Sequence, residues 1–181
     1  MMLPPTLGKT VVLVGLMGAG KTTVGRRLAK VLGVQFKDSD DEIAAAAGCS
    51  IPDIFEIHGE AIFRDLEQRV IFRLLTDDSP KVLATGGGAW MNTEARRMIK
   101  KHAISIWLKA ELDVLLERVS RRGGRPLLEK GDKRAILSKL MEERYPVYAE
   151  ADMTVESDNG AHDRVVDGIV SELRHHGIVT S

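Results

Sequence analysis

Apolar residues recur along this chain in two rhythms. Short continuous runs stand at Thr10-Val11-Val12-Leu13-Val14, Lys81-Val82-Leu83-Ala84-Thr85 and Ala103-Ile104-Ser105-Ile106-Trp107-Leu108. They are short and mostly apolar, as strands covered on both faces should be. Val34-Gln35-Phe36-Lys37 and Met153-Thr154-Val155-Glu156 are weaker runs of the same kind. Elsewhere apolar positions fall three and four apart. Leu112, Leu115, Leu116 and Val119 predict a helix over 111–122, and Phe63, Leu66 and Val70 share one face of another. Helices are also expected over 22–32 with Gly33 as its stop, over 41–47, from Asn92 to 101, over 132–149, and over 161–175 with Gly177 behind it. Ser50 followed by Asp53 reads as a capping-box-like helix start. Pro146 should kink or end the helix over 132–149 near Arg144. Residues 1–8, with Pro4-Pro5, read as a loose leader. The alternation of strand and helix specifies an α/β fold, with a parallel sheet, helices on both faces and right-handed crossovers.

Composition narrows this picture. A chain of 181 residues suggests one domain over 1–181, able to bury about 70% of the surface its unfolded form exposes. Lys+Arg and Asp+Glu are 26 each, so the formal charge is zero. That argues against a general nucleic-acid or anionic-membrane binder. Cys49 is the single cysteine, which excludes an intrachain disulfide and fits a reducing cytoplasm. It reads as a small packing residue. The apolar run over 11–16 is too short for a signal segment or a membrane span. His58 reads as a surface or capping residue, and His162, His175 and His176 as surface residues without metal-ligand spacing.

Chemistry enters at Gly15-Leu16-Met17-Gly18-Ala19-Gly20-Lys21-Thr22, which matches G-x-x-x-x-G-K-[ST]. A strand precedes it and a helix follows. Glycines let the backbone wrap a phosphate, and successive N–H groups with the helix dipole face the anion. Lys21 can reach the β- and γ-phosphates and the Thr22 hydroxyl can hold Mg²⁺.

Four further groups sit where an open α/β sheet presents ligands, or next to such places. Asp38 and Asp40 follow the second strand, and period-two geometry would point them to one side. One can hold Mg²⁺ through water and the other can accept a proton from an attacking hydroxyl. Helix capping would equally account for Asp38. Arg64 and Glu67 are three apart on a helix, compatible with an ordinary surface ion pair. Gly86-Gly87-Gly88 ends the third strand, either as a flexible turn or to admit a ligand very close to the backbone. Arg118, Arg121, Arg122 and Arg125 cluster around Gly123-Gly124, either as a solvated helix end or as a mobile lid carrying arginine to a phosphate.

Together these segments resemble the shikimate kinase family, of the nucleoside-monophosphate-kinase-like P-loop fold. The resemblance runs from about Thr10 to Leu173. It rests on the phosphate loop, Asp38-Ser39-Asp40, Phe63-Arg64-Asp65-Leu66-Glu67, Gly86-Gly87-Gly88, Arg125-Pro126-Leu127-Leu128 and Glu143-Arg144-Tyr145-Pro146-Val147-Tyr148. It implies a five-stranded parallel sheet of order 2-3-1-4-5 flanked by helices, with a core over 10–174, an acceptor region over 38–70 and a lid over 120–132. It implies ATP-dependent, Mg²⁺-requiring phosphorylation of the shikimate 3-hydroxyl, a step toward chorismate and the aromatic amino acids, by a cytoplasmic monomer. By matching positions, Asp40 should bind the acceptor hydroxyls and act as base or orienter, with Lys21 and Arg125 as the other catalytic groups. Arg64 and Arg144 should grip the carboxylate, and Gly86, Gly87 and Gly88 should offer backbone N–H groups. ATP should meet Gly18, Ala19, Gly20, Lys21, Thr22, Thr23, Arg118 (packed on the adenine) and Arg125, with Mg²⁺ at Thr22 and, through water, Asp38. The lid is glycine-rich where many relatives carry more charge. The stretch 157–160 lacks an arginine that some relatives have there, so the resemblance carries no role to it. Rival readings are a gluconate or nucleoside-monophosphate kinase and a non-catalytic nucleotide switch.

Overall fold

The computed structural model describes residues 5–77, 79–122 and 132–180. Its centre is a parallel sheet of five strands: β1 (Thr10–Val14), β2 (Gln35–Asp38), β3 (Lys81–Ala84), β4 (Ala103–Lys109) and β5 (Met153–Glu156). Their order is β2-β3-β1-β4-β5. β1 is central because every residue in it is buried, between Val82 and Leu83 of β3 on one side and residues 103–107 of β4 on the other. β5 alternates half-buried and exposed residues, as an edge strand can.

The sheet is accompanied by helices α1 (Lys21–Leu32), α2 (Ser39–Ala47), α3 (Ile51–Thr76), α4 (Thr93–His102), α5 (Leu112–Arg122), α6 (Lys133–Tyr148) and α7 (His162–His175). Among the described residues no helix is long and apolar enough to cross a membrane. Gly33 ends α1 in the left-handed conformation, and its N–H reaches back to the carbonyls of Ala29 and Lys30. The Ser50 hydroxyl caps α3 by accepting from the Asp53 N–H. Within α3, Gly59 leaves helical geometry at φ 85°, ψ 172°, so two helical pieces meet at a kink.

Three expectations need correction. The expected leader over 1–8 contains a strand: Thr6–Leu7 pairs antiparallel with Val179–Thr180, and Leu7 and Val179 are both buried, while residues 1–4 lie outside the described residues. α2 begins at Ser39, not 41, because the Asp38 carboxylate caps it through the Asp40 N–H. Strand geometry therefore ends at Asp38, and Asp40 takes its direction from the first turn of a helix. Pro146 does not end α6, which continues to Tyr148. The missing N–H of Pro146 leaves the Glu142 carbonyl without its ladder donor, a single lost bond after which the helix runs two residues further.

Candidate active site

The phosphate loop leaves the buried end of β1 and turns into α1. Gly18 and Gly20 hold φ values of 83° and 96°, a region side chains rarely adopt. The Lys21 ammonium donates to the carbonyls of Gly15 at 2.6 Å and Leu16 at 2.9 Å. The Thr22 hydroxyl donates to Asp38 Oδ2 at 3.1 Å, while Asp38 Oδ1 accepts from the Asp40 N–H at 2.9 Å. Asp38 thus caps a helix and faces the loop threonine at once. A cleft of roughly 460 Å³ opens here, with Lys21, Thr22, Thr23, Asp38, Asp40 and Gly86 in its wall.

At the end of β3, three glycines make room for three charged side chains. A Cβ on Gly86 would stand 2.8 Å from Asp40 Oδ1, and one on Gly87 3.4 Å from Arg144 Nη1. A Cβ on Gly88 would collide with the Arg64 guanidinium, 2.8 Å from Nη1. The triplet is therefore a meeting point, not a flexible turn. The Gly86 N–H donates to the hydroxyl of fully buried Ser39 at 3.2 Å.

Arg64 and Glu67 form more than a surface pair. Arg64 Nη1 donates to Glu67 Oε1 at 2.8 Å, and Glu67 is 1% exposed. Its Oε2 has no hydrogen-bond partner among the described residues. Burial pushes the Glu67 carboxyl up, Arg64 opposes that shift, Asp40 adds to it and Arg144 lowers it. Phe63 lies under the Arg64 guanidinium at 5.1 Å from the ring centre, with Phe55 4.6 Å from Phe63. On α6, the buried Tyr148 hydroxyl donates to the Gly87 carbonyl. Burial pushes the Tyr148 phenol up to about 12, with Arg144 opposing.

At the other end of the cleft, Arg118 Nη1 donates to the Gly18 carbonyl at 3.0 Å and to Ser157 Oγ at 3.1 Å. Its Nη2 donates to the Asp158 carbonyl, and Ser157 Oγ donates to the Ala19 carbonyl at 2.7 Å. This guanidinium ties α5, the phosphate loop and the exit of β5 together, and it lines the cleft. The stretch beginning at Ser157, left without a role above, is one wall of that tie. His162, read as a surface residue, also lines the cleft, with Cε1 3.8 Å from where a Cβ on Gly20 would stand. His58, His175 and His176 are exposed, and Cys49 packs at the edge of the core. Arg125 lies outside the described residues, as does most of the 120–132 stretch. Sequence reasoning missed Ser39, Tyr148, Ser157 and His162. Only Tyr148 left a usable signal, since it stands four residues from Arg144 on one helix.

The family model for shikimate kinase matches residues 17–174. A shikimate kinase from Rhodopseudomonas palustris is 55% identical over 168 residues, covering 93% of this chain and 82% of the relative. One from Caulobacter vibrioides is 54% identical over 172 residues, covering 95% and 86%. The solved shikimate kinase from Acinetobacter baumannii, in complex with shikimate, is 40% identical with a TM-score of 0.88, covering 93% of this chain and 94% of that one. Agreement of this extent, along the sequence and through the fold alike, means that the chain belongs to the shikimate kinase family.

Proposed function

We propose a residue-by-residue account of how this chain moves the γ-phosphoryl group of ATP to the 3-hydroxyl of shikimate, releasing shikimate 3-phosphate and ADP. The observation that carries it is the convergence of Asp40, Arg64 and Arg144 on Gly86, Gly87 and Gly88, beside the phosphate loop. Two guanidinium groups around one small space suit a carboxylate, which takes paired N–H donors. Asp40, between that space and Lys21, takes the proton of the attacking hydroxyl or orients it. The Gly86 N–H is already used by Ser39, so backbone donation to the acceptor falls to Gly87 and Gly88.

ATP lies along the loop with its phosphates over Gly18, Ala19, Gly20, Lys21, Thr22 and Thr23, and its base toward Arg118 and His162. Lys21, together with Arg125, meets charge on the transferring group. The Thr22 hydroxyl and the Asp38 carboxylate supply oxygen donors that fit Mg²⁺, which ordinarily takes few protein ligands and fills its octahedron with phosphate oxygens and water. When bound, that ion offsets phosphate charge. Transfer is in line, and positioning by Arg64, Arg144 and Asp40 supplies most of what the loop and its cations do not. The reading of a single domain working as a cytoplasmic monomer rests on the family resemblance, and light scattering of the purified protein would test the stoichiometry.

The test is ADP release with Mg·ATP and no acceptor, shikimate, gluconate or AMP. Stimulation by shikimate alone is expected. Stimulation by gluconate or AMP would move the chain to a rival kinase, and a cycle indifferent to all acceptors would favour the nucleotide switch. Asp40→Asn should lower kcat by roughly 10²–10⁴-fold with folding intact. Turnover near the parent rate would remove Asp40 from the chemistry.

A further inference from the structure

Arg144, Tyr148 and Gly87 stand in series. The Tyr148 hydroxyl donates to the Gly87 carbonyl, and Arg144 Nη1 stands 3.4 Å from where a Cβ on Gly87 would be, so phenol and guanidinium meet at one glycine. Arg144 and Tyr148 are four apart on α6, so their side chains lie on one face. Tyr148 is fully buried, which leaves its hydroxyl dependent on the Gly87 carbonyl and on what else reaches that glycine. A second link lies next to the first. Trp90, in the short turn after the glycines, donates its indole N–H to the Val147 carbonyl at 2.8 Å. Val147 is in the last turn of α6, where carbonyls lack helical partners. Arg96 Nη1 holds the Trp90 carbonyl at 2.8 Å, so the indole is itself fixed.

An arginine loses much rotamer freedom when it grips a carboxylate with two N–H groups, and one already tied loses less. Tyr148 is hydrogen-bonded to the same glycine loop that leaves space for Arg144, Arg64 and Asp40. We propose that Tyr148 is a positioning residue for acceptor binding: its hydroxyl locks Arg144 to the glycine loop, and Trp90 fixes the helix end that carries both. This rests on the reading of Arg144 as a carboxylate ligand. The competing explanation is that Tyr148 only fills space beside Trp107, whose ring is 5.8 Å away and stacked. Phenylalanine would fill that space equally well. The raised phenol pKa means that the hydroxyl keeps its proton at neutral pH, as donation to Gly87 requires.

The experiment is a cycle of Tyr148→Phe, Arg144→Ala and the double variant, with kcat and both KM values measured. Tyr148→Phe should raise the shikimate KM roughly tenfold, the scale of a hydrogen bond to a charged group, with kcat and the ATP KM within about twofold of the parent. In the Arg144→Ala background the same change should add nothing to the shikimate KM. Trp90→Phe should raise the shikimate KM in the same selective way. An unchanged shikimate KM in Tyr148→Phe, a full extra effect in the double variant, or equal losses for both substrates would each overturn the proposal. If Arg144→Ala itself leaves the shikimate KM unchanged, the carboxylate clamp fails first and Tyr148 loses its purpose with it.

Discussion

Glu67 shows how a single residue's energetics belong to the site. Its carboxyl is buried, bonded on one oxygen to Arg64, and shifted upward by loss of water. The folded state therefore holds this proton more tightly than the unfolded chain, whose carboxyl titrates near 4.5. Between that value and the raised one the folded state carries more bound proton, so stability falls as pH rises across the window. Glu67→Gln removes this titrating group. Melting curves of both proteins from acid to neutral pH should show the parent losing ground to the variant as pH rises, and parallel curves would count against it. The phosphate loop, Asp38 with Asp40 and the glycine triplet stood out because their spacing is local, whereas Arg64 read locally as an ion pair with Glu67 and took its expected role from the family resemblance. Tyr148 and Ser157 were not read this way, because their partners Gly87 and Ala19 lie 61 and 138 positions away. No periodicity in the chain encodes such a contact.

Among the elements, α6 concentrates the burden. Tyr145 and Tyr148 are both pushed up to about 12, chiefly by burial. Tyr145 donates to the Ala110 carbonyl and packs edge-on to Trp107 at 4.9 Å. Both phenols ionise near 10 in the unfolded chain, so their contribution to stability is complete below that pH and is lost as pH climbs toward 12. The Tyr145→Phe, Tyr148→Phe double variant should lose less melting temperature than the parent over that interval, and equal slopes would rule this out. The apolar rhythms located the strands and helices to within a residue or two. They erred where a side chain overrode the pattern: the Asp38 cap started α2 early, and α6 ran two residues past Pro146 at the loss of one ladder bond.

For the whole molecule, the pattern supplied alternation and hence a parallel sheet, while the strand order came from the family resemblance. Neither pointed to the ribbon between Thr6–Leu7 and Val179–Thr180. Strands of two residues leave no periodic trace, and their pairing joins opposite ends of the chain. Leu7 is nonetheless buried, so Leu7→Ala should cost about 2–4 kcal/mol and several degrees of melting temperature. Both KM values and kcat should stay at parent values below the melt. A fall in kcat at constant stability would show that the ribbon reaches the site. The sheet also places the chain's two tryptophans differently. Trp107 has its Cδ1 3.6 Å from where a Cβ on Gly15 would stand, directly behind the nucleotide loop. Trp90, in the turn after the glycine triplet, is fully buried and donates to the Val147 carbonyl. One indole thus stands behind each end of the cleft, so with either replaced, the fluorescence of the other should change when ATP or shikimate is added, and an unchanged spectrum would count against it.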